Sequence, residues 1–432
     1  MSNNMHHEGL LRIHRLLDEQ SFVEIKSLHE PEGVVTGYGQ INGELIFIYA
    51  QDSQCMGGSF GEFQCKKIAS ILRQARKMKA PVIGILDSTG LGVQEGILGL
   101  EALGEVFFAL KEAKKQIPVY TIISGICGGS IGLIPQMSDF VFLEKSKGEC
   151  FVNSPNTLSK NLESGFESES AKAYLSMVDF EGTLEEIKEK LVFLYGNMPQ
   201  YLGQKLPVLC DTDDFNRTCD FQNKKQISML ELLKEISDSG NIFPIKDQYC
   251  KELFTGFIIL GGKLTGVIAT MDLNINLCDE SRLNSNSMKK ASRMIQLCTR
   301  FNIPVLTILN NDGIETTVQN EQEYLLSTSI YMDSFIDNKA PKICLIPDHV
   351  YGGSYSYIGS KSIGNDLVIA WDCAQIGVLS QRAASKISNQ ALEIDNSVSH
   401  IFANGIVDCI IMPEQTRSYL ISLFDMLSTK TV

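Results

Sequence analysis

The chain has no surplus of positive charge. Its 38 Lys and Arg face 51 Asp and Glu, a formal charge of -13, and this excludes the broad attraction to phosphate backbones or anionic lipid on which nucleic-acid and membrane-surface proteins depend. Proline is scarce, at 12 of 432 residues, while hydrophobic residues make up 44%, so collagen-like, low-complexity and disordered classes fall away. The twelve cysteines are scattered singly, with no Cys-x-x-Cys pair to suggest a zinc ribbon or a dithiol motif. They read as reduced, mostly buried small hydrophobes. No His-Glu-x-x-His element and no Walker lysine loop occur. Met1 to Leu17 carries charges throughout, without the apolar core of a secretory signal, so a cytoplasmic protein is expected. Residues 117–138 are uncharged, but Pro118, Pro135 and four glycines suit a buried strand, a turn and a helix better than a membrane span.

What is present is a repeat. Thr36-Gly37-Tyr38-Gly39-Gln40-Ile41 and Glu44 to Ala50 are β-prone runs around Asn42-Gly43, a hairpin signal because both turn residues tolerate positive φ. Thr255-Gly256 to Leu260 and Lys263 to Ala269, around Gly261-Gly262, repeat it. Lys66-Lys67 answers to Lys289-Lys290, Pro81-Val82 to Pro304-Val305, Pro118 to Pro341 and Gly90 to Gly313, each at a spacing of 223 residues. Gly128-Gly129 and Gly352-Gly353 miss that spacing by one residue, yet read as the same slot. The period is too long for a solenoid unit, so each copy is expected to be a domain with its own core. An Asp-rich stretch between 205 and 225 marks the linker, and the expected domains are 1–215 and 216–432. Each half reads hairpin, helix, buried strand, turn, helix, buried strand, glycine pair, helix: an α/β pattern with strands too apolar to face water.

The glycine pairs carry the chemical signal. Ile117 to Ser124 places a buried strand ahead of Gly128-Gly129 and a helix expected near Ser130; Ala340 to Ile346 leads to Gly352-Gly353-Ser354-Tyr355. Adjacent glycines let a ligand approach the backbone, and amides at a helix start point outward with the positive end of the dipole. That is an oxyanion hole in outline, with tight strand-helix packing as the plainer reading. Gly57-Gly58-Ser59 reads as shaping a substrate pocket, Gly90 closes an apolar strand, and Gln94-Glu95-Gly96 sits at the following turn. His349, three residues before the second pair, reads as structural or catalytic.

Taken together, Leu16-Leu17-Asp18-Glu19-Gln20-Ser21-Phe22, Gly33-Val34-Val35-Thr36-Gly37, Ala50-Gln51-Asp52, Gly57-Gly58-Ser59, Gly61-Glu62, Lys66-Lys67-Ile68, Asp87-Ser88 and Gln94-Glu95-Gly96 resemble the carboxyltransferase subunits of biotin-dependent acyl-CoA carboxylases and decarboxylases. Phe301-Asn302-Ile303-Pro304, Tyr351 to Tyr355, Ser360-Lys361 and Ala370-Trp371 resemble that family's C-terminal domain. The resemblance implies two crotonase-like β-β-α superhelix domains, an acyl-CoA substrate on the first, and biotin, borne by a separate carrier protein, on the second. It implies that Gly128 and Gly129 donate to the thioester oxygen, and Gly353 and Ser354 to the biotin ureido oxygen, with Gly57, Gly58, Ser59, Gly90, Gln94 and Tyr355 binding substrate. It further implies a biotin carboxyl carrier protein and a biotin carboxylase subunit as partners, and a homo-oligomer built from dimers. The sequence departs from the family at Leu91-Gly92-Val93, where Ala-Arg-Ile is usual, at Asn310-Asn311-Asp312-Gly313, at Ser154-Pro155, and between Thr157 and Glu181. Alternatives from the residues alone are a crotonase-like acyl-CoA hydrolase or isomerase with Glu95 as base, and a degenerate scaffold subunit.

Overall fold

The computed structural model describes residues 8–25, 33–153, 176–209, 213–221, 227–271, 282–315, 317–380 and 395–430. The chain divides into two compact units, Met1–Lys205 and Leu206–Val432, a break somewhat before the 215/216 boundary expected above. Residues just past the break are tied to the second unit's hairpin, where Val208 bridges Lys263 and the Leu209 amide donates to Gly262 O at 2.9 Å.

In the first unit, Val34–Ile41 and Glu44–Gln51 form the antiparallel hairpin, edged by Val23–Glu24. Its turn residues Asn42 and Gly43 take φ of 55° and 79°, as the Asn-Gly pair allows. The sheet then continues in parallel through Val82–Ser88, Val119–Gly128, Phe140–Glu144 and Phe180–Gly182. Val82–Ser88 is buried along its whole length, the signature of a strand covered on both faces. Helices Glu62–Met78 and Gly96–Lys114 pack against each other, and the first supplies Ile68, Ile71, Leu72 and Ala75 to the core. The second unit repeats this order: edge strand Ile242–Pro244, hairpin Leu253–Leu260 and Lys263–Thr270, then parallel Val305–Ile308, Lys342–Ile346, Leu367–Trp371 and Cys409–Ile411. Ser285–Phe301 and Val318–Asp337 are its paired helices.

The duplication extends to individual contacts. A Cβ on Gly37 would lie 2.4 Å from Val23 O, and one on Gly256 would lie 2.3 Å from Phe243 O; only glycine lets the edge strand close so tightly in either copy. Asp18 accepts from the amides of Asn42 and Gly43 at 3.2 and 2.8 Å, and Asp238 from those of Gly261 and Gly262 at 3.0 and 2.8 Å. Asp139 and Asp366 each accept from the first amide of a central strand, Val119 and Lys342, at 2.9 and 2.8 Å. The helix ends match as well, with Lys79 and Asn302 both at φ 52°.

Lys67 Nζ donates to Val34 O at 2.7 Å. Its counterpart Lys290 donates to Tyr249 O, Cys250 O and Leu253 O at 2.6, 3.2 and 2.7 Å. Burial pulls the Lys290 ammonium down to about 8, against the opposing attraction of Cys250 and Glu252. An unfolded lysine titrates near 10.4, so between these values the unfolded chain binds more protons than the native one, and stability gains with rising pH. The urea-unfolding free energy of the wild type, measured relative to Lys290→Met, should therefore climb between pH 8 and 10 by at most about 1.4 kcal/mol per pH unit. A difference that stays flat over that range contradicts this reading of the lysine.

Candidate active site

In the first unit, three loops leave the carboxyl ends of the neighbouring strands Glu44–Gln51, Val82–Ser88 and Val119–Gly128 and converge. Ligand crevices of open parallel sheets form at such strand ends. Gly58 O accepts from Thr89 N at 3.2 Å and from the Ser88 hydroxyl, while Gly57 O accepts from Thr89 Oγ1 at 3.3 Å. Ser59–Phe60 then pairs in parallel with Gly90–Leu91. Gly90 takes φ 116°, and a Cβ there would stand 3.2 Å from Gly128 O. The structure therefore gathers Gly57, Gly58, Ser59, Gly90 and Gly128 into one neighbourhood, although they span more than seventy residues of sequence.

Gly128 ends a strand whose last residues pair with Glu149–Phe151. Gly129 is the first residue beyond that pairing. Its φ is 69°, and apart from its chain neighbours no heavy atom of the described residues lies within 4 Å of where its Cβ would be, so among these residues the backbone borders open space. The expected helix near Ser130 is instead a 3-10 turn, Gly129–Gly132, followed by the short helix Leu133–Met137; Pro135 offers no amide to a longer α-helix.

Gln94 lies exposed in the turn Val93–Glu95. Glu95, the base of the hydrolase alternative, has another role: its Oε2 accepts from Glu62 N at 3.0 Å, and its carboxylate fills the position of a Cβ on Gly61, 2.0 Å away. It caps helix Glu62–Met78, whose first-turn amides have no intrahelical acceptor. The runs Gly57 to Gly61 and Gly128 to Gly132 both spell Gly-x-Ser-x-Gly, the spacing of a hydrolase elbow. The Ser59 hydroxyl, however, donates to Met56 O at 2.9 Å. Beneath this site Arg12 Nη1 meets Asp87 Oδ2 at 2.7 Å with both side chains buried, and Ser53 Oγ donates to the same oxygen at 2.8 Å.

In the second unit, His349–Tyr351 pairs in parallel with Gln375–Gly377, as Ile126–Gly128 pairs with Glu149–Phe151 in the first. The Gly352 amide donates to Gly377 O at 3.0 Å. Gly353 and Ser354 then open a helical segment running into the π-turn Tyr355–Gly359, and their amides, as first-turn donors, have no intrahelical acceptor. The Ser354 side chain faces inward, its hydroxyl 2.8 Å from Asn311 Oδ1 and 3.0 Å from Tyr351 O, so only the main chain of Ser354 can serve a ligand. A Cβ on Gly353 would meet Tyr357 Cε1 at 2.9 Å, and the Tyr357 hydroxyl is bonded to that of Tyr324. Tyr355 is half-buried, burial pushing its hydroxyl up to about 12, and its ring packs back on Gly359. His349 is held between Asp348, 3.0 Å from Nδ1, and Asp312, 3.2 Å from Nε2, and stacks on Tyr351. The imidazole bond holds Asp348 below the usual carboxylate range.

One expectation changes. Gly129 at φ 69° matches Gly352 at φ 72°, and the strand pairings on either side agree, so the 223-residue period holds through the glycines. The two pairs therefore occupy adjacent slots rather than the same one: the first begins one residue earlier in its unit than the second does. Arg12 and Tyr357 carry no recognisable motif, and only the fold places Arg12 against Asp87 and Tyr357 beside Gly353. Ser154-Pro155 and most of the stretch from Thr157 lie outside the described residues.

Residues 9–396 match the family described as "Carboxyl transferase domain". The chain belongs to that family. It is 30% identical to a protein named putative propionyl-CoA carboxylase beta chain from Bacillus subtilis (strain 168), covering 97% of this chain and 90% of the relative. It is 28% identical to methylmalonyl-CoA decarboxylase subunit alpha from Veillonella parvula, over 97% and 89%. Among solved structures it resembles transcarboxylase 12S, described as a hexamer assembly with hydrolysed methylmalonyl-coenzyme A bound, at TM-score 0.90 and 26% identity, over 98% of this chain and 90% of that one. The crotonase-like fold expected from the sequence stands for this carboxyltransferase-family chain.

Proposed function

We propose that the chain is the carboxyltransferase of a biotin-dependent acyl-CoA carboxylase or decarboxylase, working between biotin on a separate carrier protein and the α-carbon of a short-chain acyl-CoA of the propionyl/methylmalonyl or acetyl/malonyl kind. The observation that carries this reading is the open flank of Gly129, where three strand ends converge and the main chain borders a space that the side chains of the described residues leave empty. The first unit takes the CoA thioester: the amides of Gly128 and Gly129 hold its carbonyl oxygen as negative charge gathers there in the enolate, with Gly57, Gly58, Ser59 and Gly90 shaping the approach and Gln94 at its rim. The second unit takes biotin, with the amides of Gly353 and Ser354 on the ureido oxygen and Tyr355 nearby. The fit rests on exposed Gly353 at a helix start, a donor set suited to a neutral oxygen that gains charge.

When bound, biotin supplies the carboxyl group and a ring nitrogen able to take the α-proton. No side-chain base is then required, in keeping with Glu95 being held at the Glu62 amide. The proposed partners are a biotin carboxyl carrier protein and a biotin carboxylase subunit. A homo-oligomer built from dimers is supported by the exposed apolar side chains Ile97, Leu98 and Phe108 on one helix and Leu325, Leu326 and Ile330 on its counterpart in the other unit, which suit burial against further copies. Among the described residues no helix is long and apolar enough to cross a membrane, and every cysteine is a free thiol, which suits a reducing compartment such as the cytoplasm.

The test is decarboxylation of methylmalonyl-CoA and malonyl-CoA with and without free biotin. Release of CO2 that depends on biotin is the expected result. Turnover that ignores biotin, or thioester hydrolysis alone, would sink the proposal.

A further inference from the structure

Cys127 and Cys150 are 23 positions apart, with nothing in their spacing to link them, yet the sheet makes them direct partners on the parallel strands Val119–Gly128 and Glu149–Phe151. Adjacent strands lie about 4.8 Å apart, inside the Cα separation of roughly 4.4–6.8 Å that a disulfide spans, and paired residues turn their side chains to the same face. Both are free thiols. Cys127 is fully buried and directly precedes Gly128. Cys150 is only half-buried, and its Sγ lies 3.5 Å from the Cβ position of Gly132, against the turn that begins with Gly129. We propose that this thiol pair is an oxidation site, closed by a peroxide or by an oxidised low-molecular-weight thiol into an intrachain disulfide that disables the first glycine site.

The electrostatics agree with that geometry. The interaction between the two thiols raises Cys127 and lowers Cys150. Burial pushes Cys65 and Cys250 up to about 12 and raises Cys219, Cys298, Cys344, Cys373 and Cys409. The more accessible member of the pair is thus also the one that ionises more readily, the pattern of an attacking thiolate beside a resolving thiol.

With hydrogen peroxide, the Cys150 thiolate attacks one oxygen, the O–O bond breaks, and sulfenic acid and hydroxide form. The Cys127 sulfur then displaces that hydroxyl, losing its own proton, so that the S–S bond and water are the products. Two electrons pass from the sulfurs to the peroxide. With an oxidised thiol, the Cys150 thiolate displaces one half of the small disulfide and Cys127 displaces the other.

Closing the bond draws the two sulfurs together to about 2.05 Å. The strand end carrying Gly128 and the strand carrying Phe151 must follow. Phe151 lies over the same strand end, its ring 3.0 Å from where a Cβ on Gly128 would stand. Cys150 also leaves its seat against Gly132, and the Gly129–Gly132 turn is re-aimed.

The test treats the full-length protein with hydrogen peroxide or oxidised glutathione, blocks remaining thiols, and maps the peptides. We expect a linked peptide joining Cys127 to Cys150, changed amide hydrogen exchange across residues 126–137, and a fall in methylmalonyl-CoA decarboxylation of about 100-fold, the scale of a small misplacement at a reacting centre. Dithiothreitol should reverse all three, and Cys150→Ala and Cys127→Ala should keep their rate through the oxidant. Absence of the linked peptide overturns the proposal, as does a linked protein with unchanged exchange and rate. The activity arm alone rests on the functional reading above. If the reduced protein shows no turnover, that reading fails, while linkage and exchange still decide the fate of the thiol pair.

Discussion

Replacing Gly129 by valine is expected to lower biotin-dependent methylmalonyl-CoA decarboxylation by about 100- to 1,000-fold, the usual cost of losing one well-placed oxyanion donor. The residue sits at φ 69°, where a β-branched side chain is a steric outlier, so valine must rotate the peptide or stand in the open space beside it. Either outcome spoils the donor. Backbone strain of this kind costs about 1–2 kcal/mol, small enough for the unit to stay folded. Gly43 offers a matched control: its φ is 79° and its Cβ position is equally empty, but it lies in the hairpin turn capped by Asp18. Gly43→Val should share the strain and keep the rate. Equal rates for the two variants would remove the first glycine pair from the mechanism.

Arg12→Met is expected to give the largest loss of stability. Arg12 and Asp87 have side chains only 6% exposed and meet at 2.7 Å. Removing the guanidinium leaves a buried carboxylate with the Ser53 hydroxyl but no cation, a situation that costs about 3–5 kcal/mol. For a unit of this size that is a fall in Tm on the order of 10 °C. Arg12→Met combined with Asp87→Asn should recover part of the loss because no charge is then stranded. A Tm within a degree or two of wild type for the single variant would contradict the role given to the pair. The strand that Asp87 occupies leads straight into Ser88 and Gly90, so decarboxylation should weaken as well.

Much of this fold can be read in the sequence because its signals are local or periodic. Asn42-Gly43 announces a turn, and Pro81, Pro118 and their counterparts mark strand starts at a constant interval. The glycine pairs stand where a buried strand gives way to a helical turn. What escapes such reading depends on which strand lies beside which. Arg12 lies 75 residues from Asp87 and belongs to no motif. Cys127 meets Cys150 only because their strands run side by side in register. Matching letters also misled in one place: Gly-Gly aligned with Gly-Gly suggests one slot, whereas the backbone dihedrals pair Gly129 with Gly352. Glu95 likewise has the chemistry of a base, and only its position against the Glu62 amide reveals a cap.

The one-residue offset between the glycine pairs bears on how the halves of this protein can be exchanged. Each copy keeps the same bend in its main chain, Gly129 at φ 69° and Gly352 at φ 72°, but the residues that follow differ, Ser130 and Ile131 in the first and Gly353 and Ser354 in the second. Transplanting residues 126–132 in place of 349–355 would put Ser130 and Ile131 where Gly353 and Ser354 stand, bringing a Cβ to 2.9 Å from Tyr357 and removing the hydroxyl that reaches Asn311, so the two halves are no longer interchangeable parts.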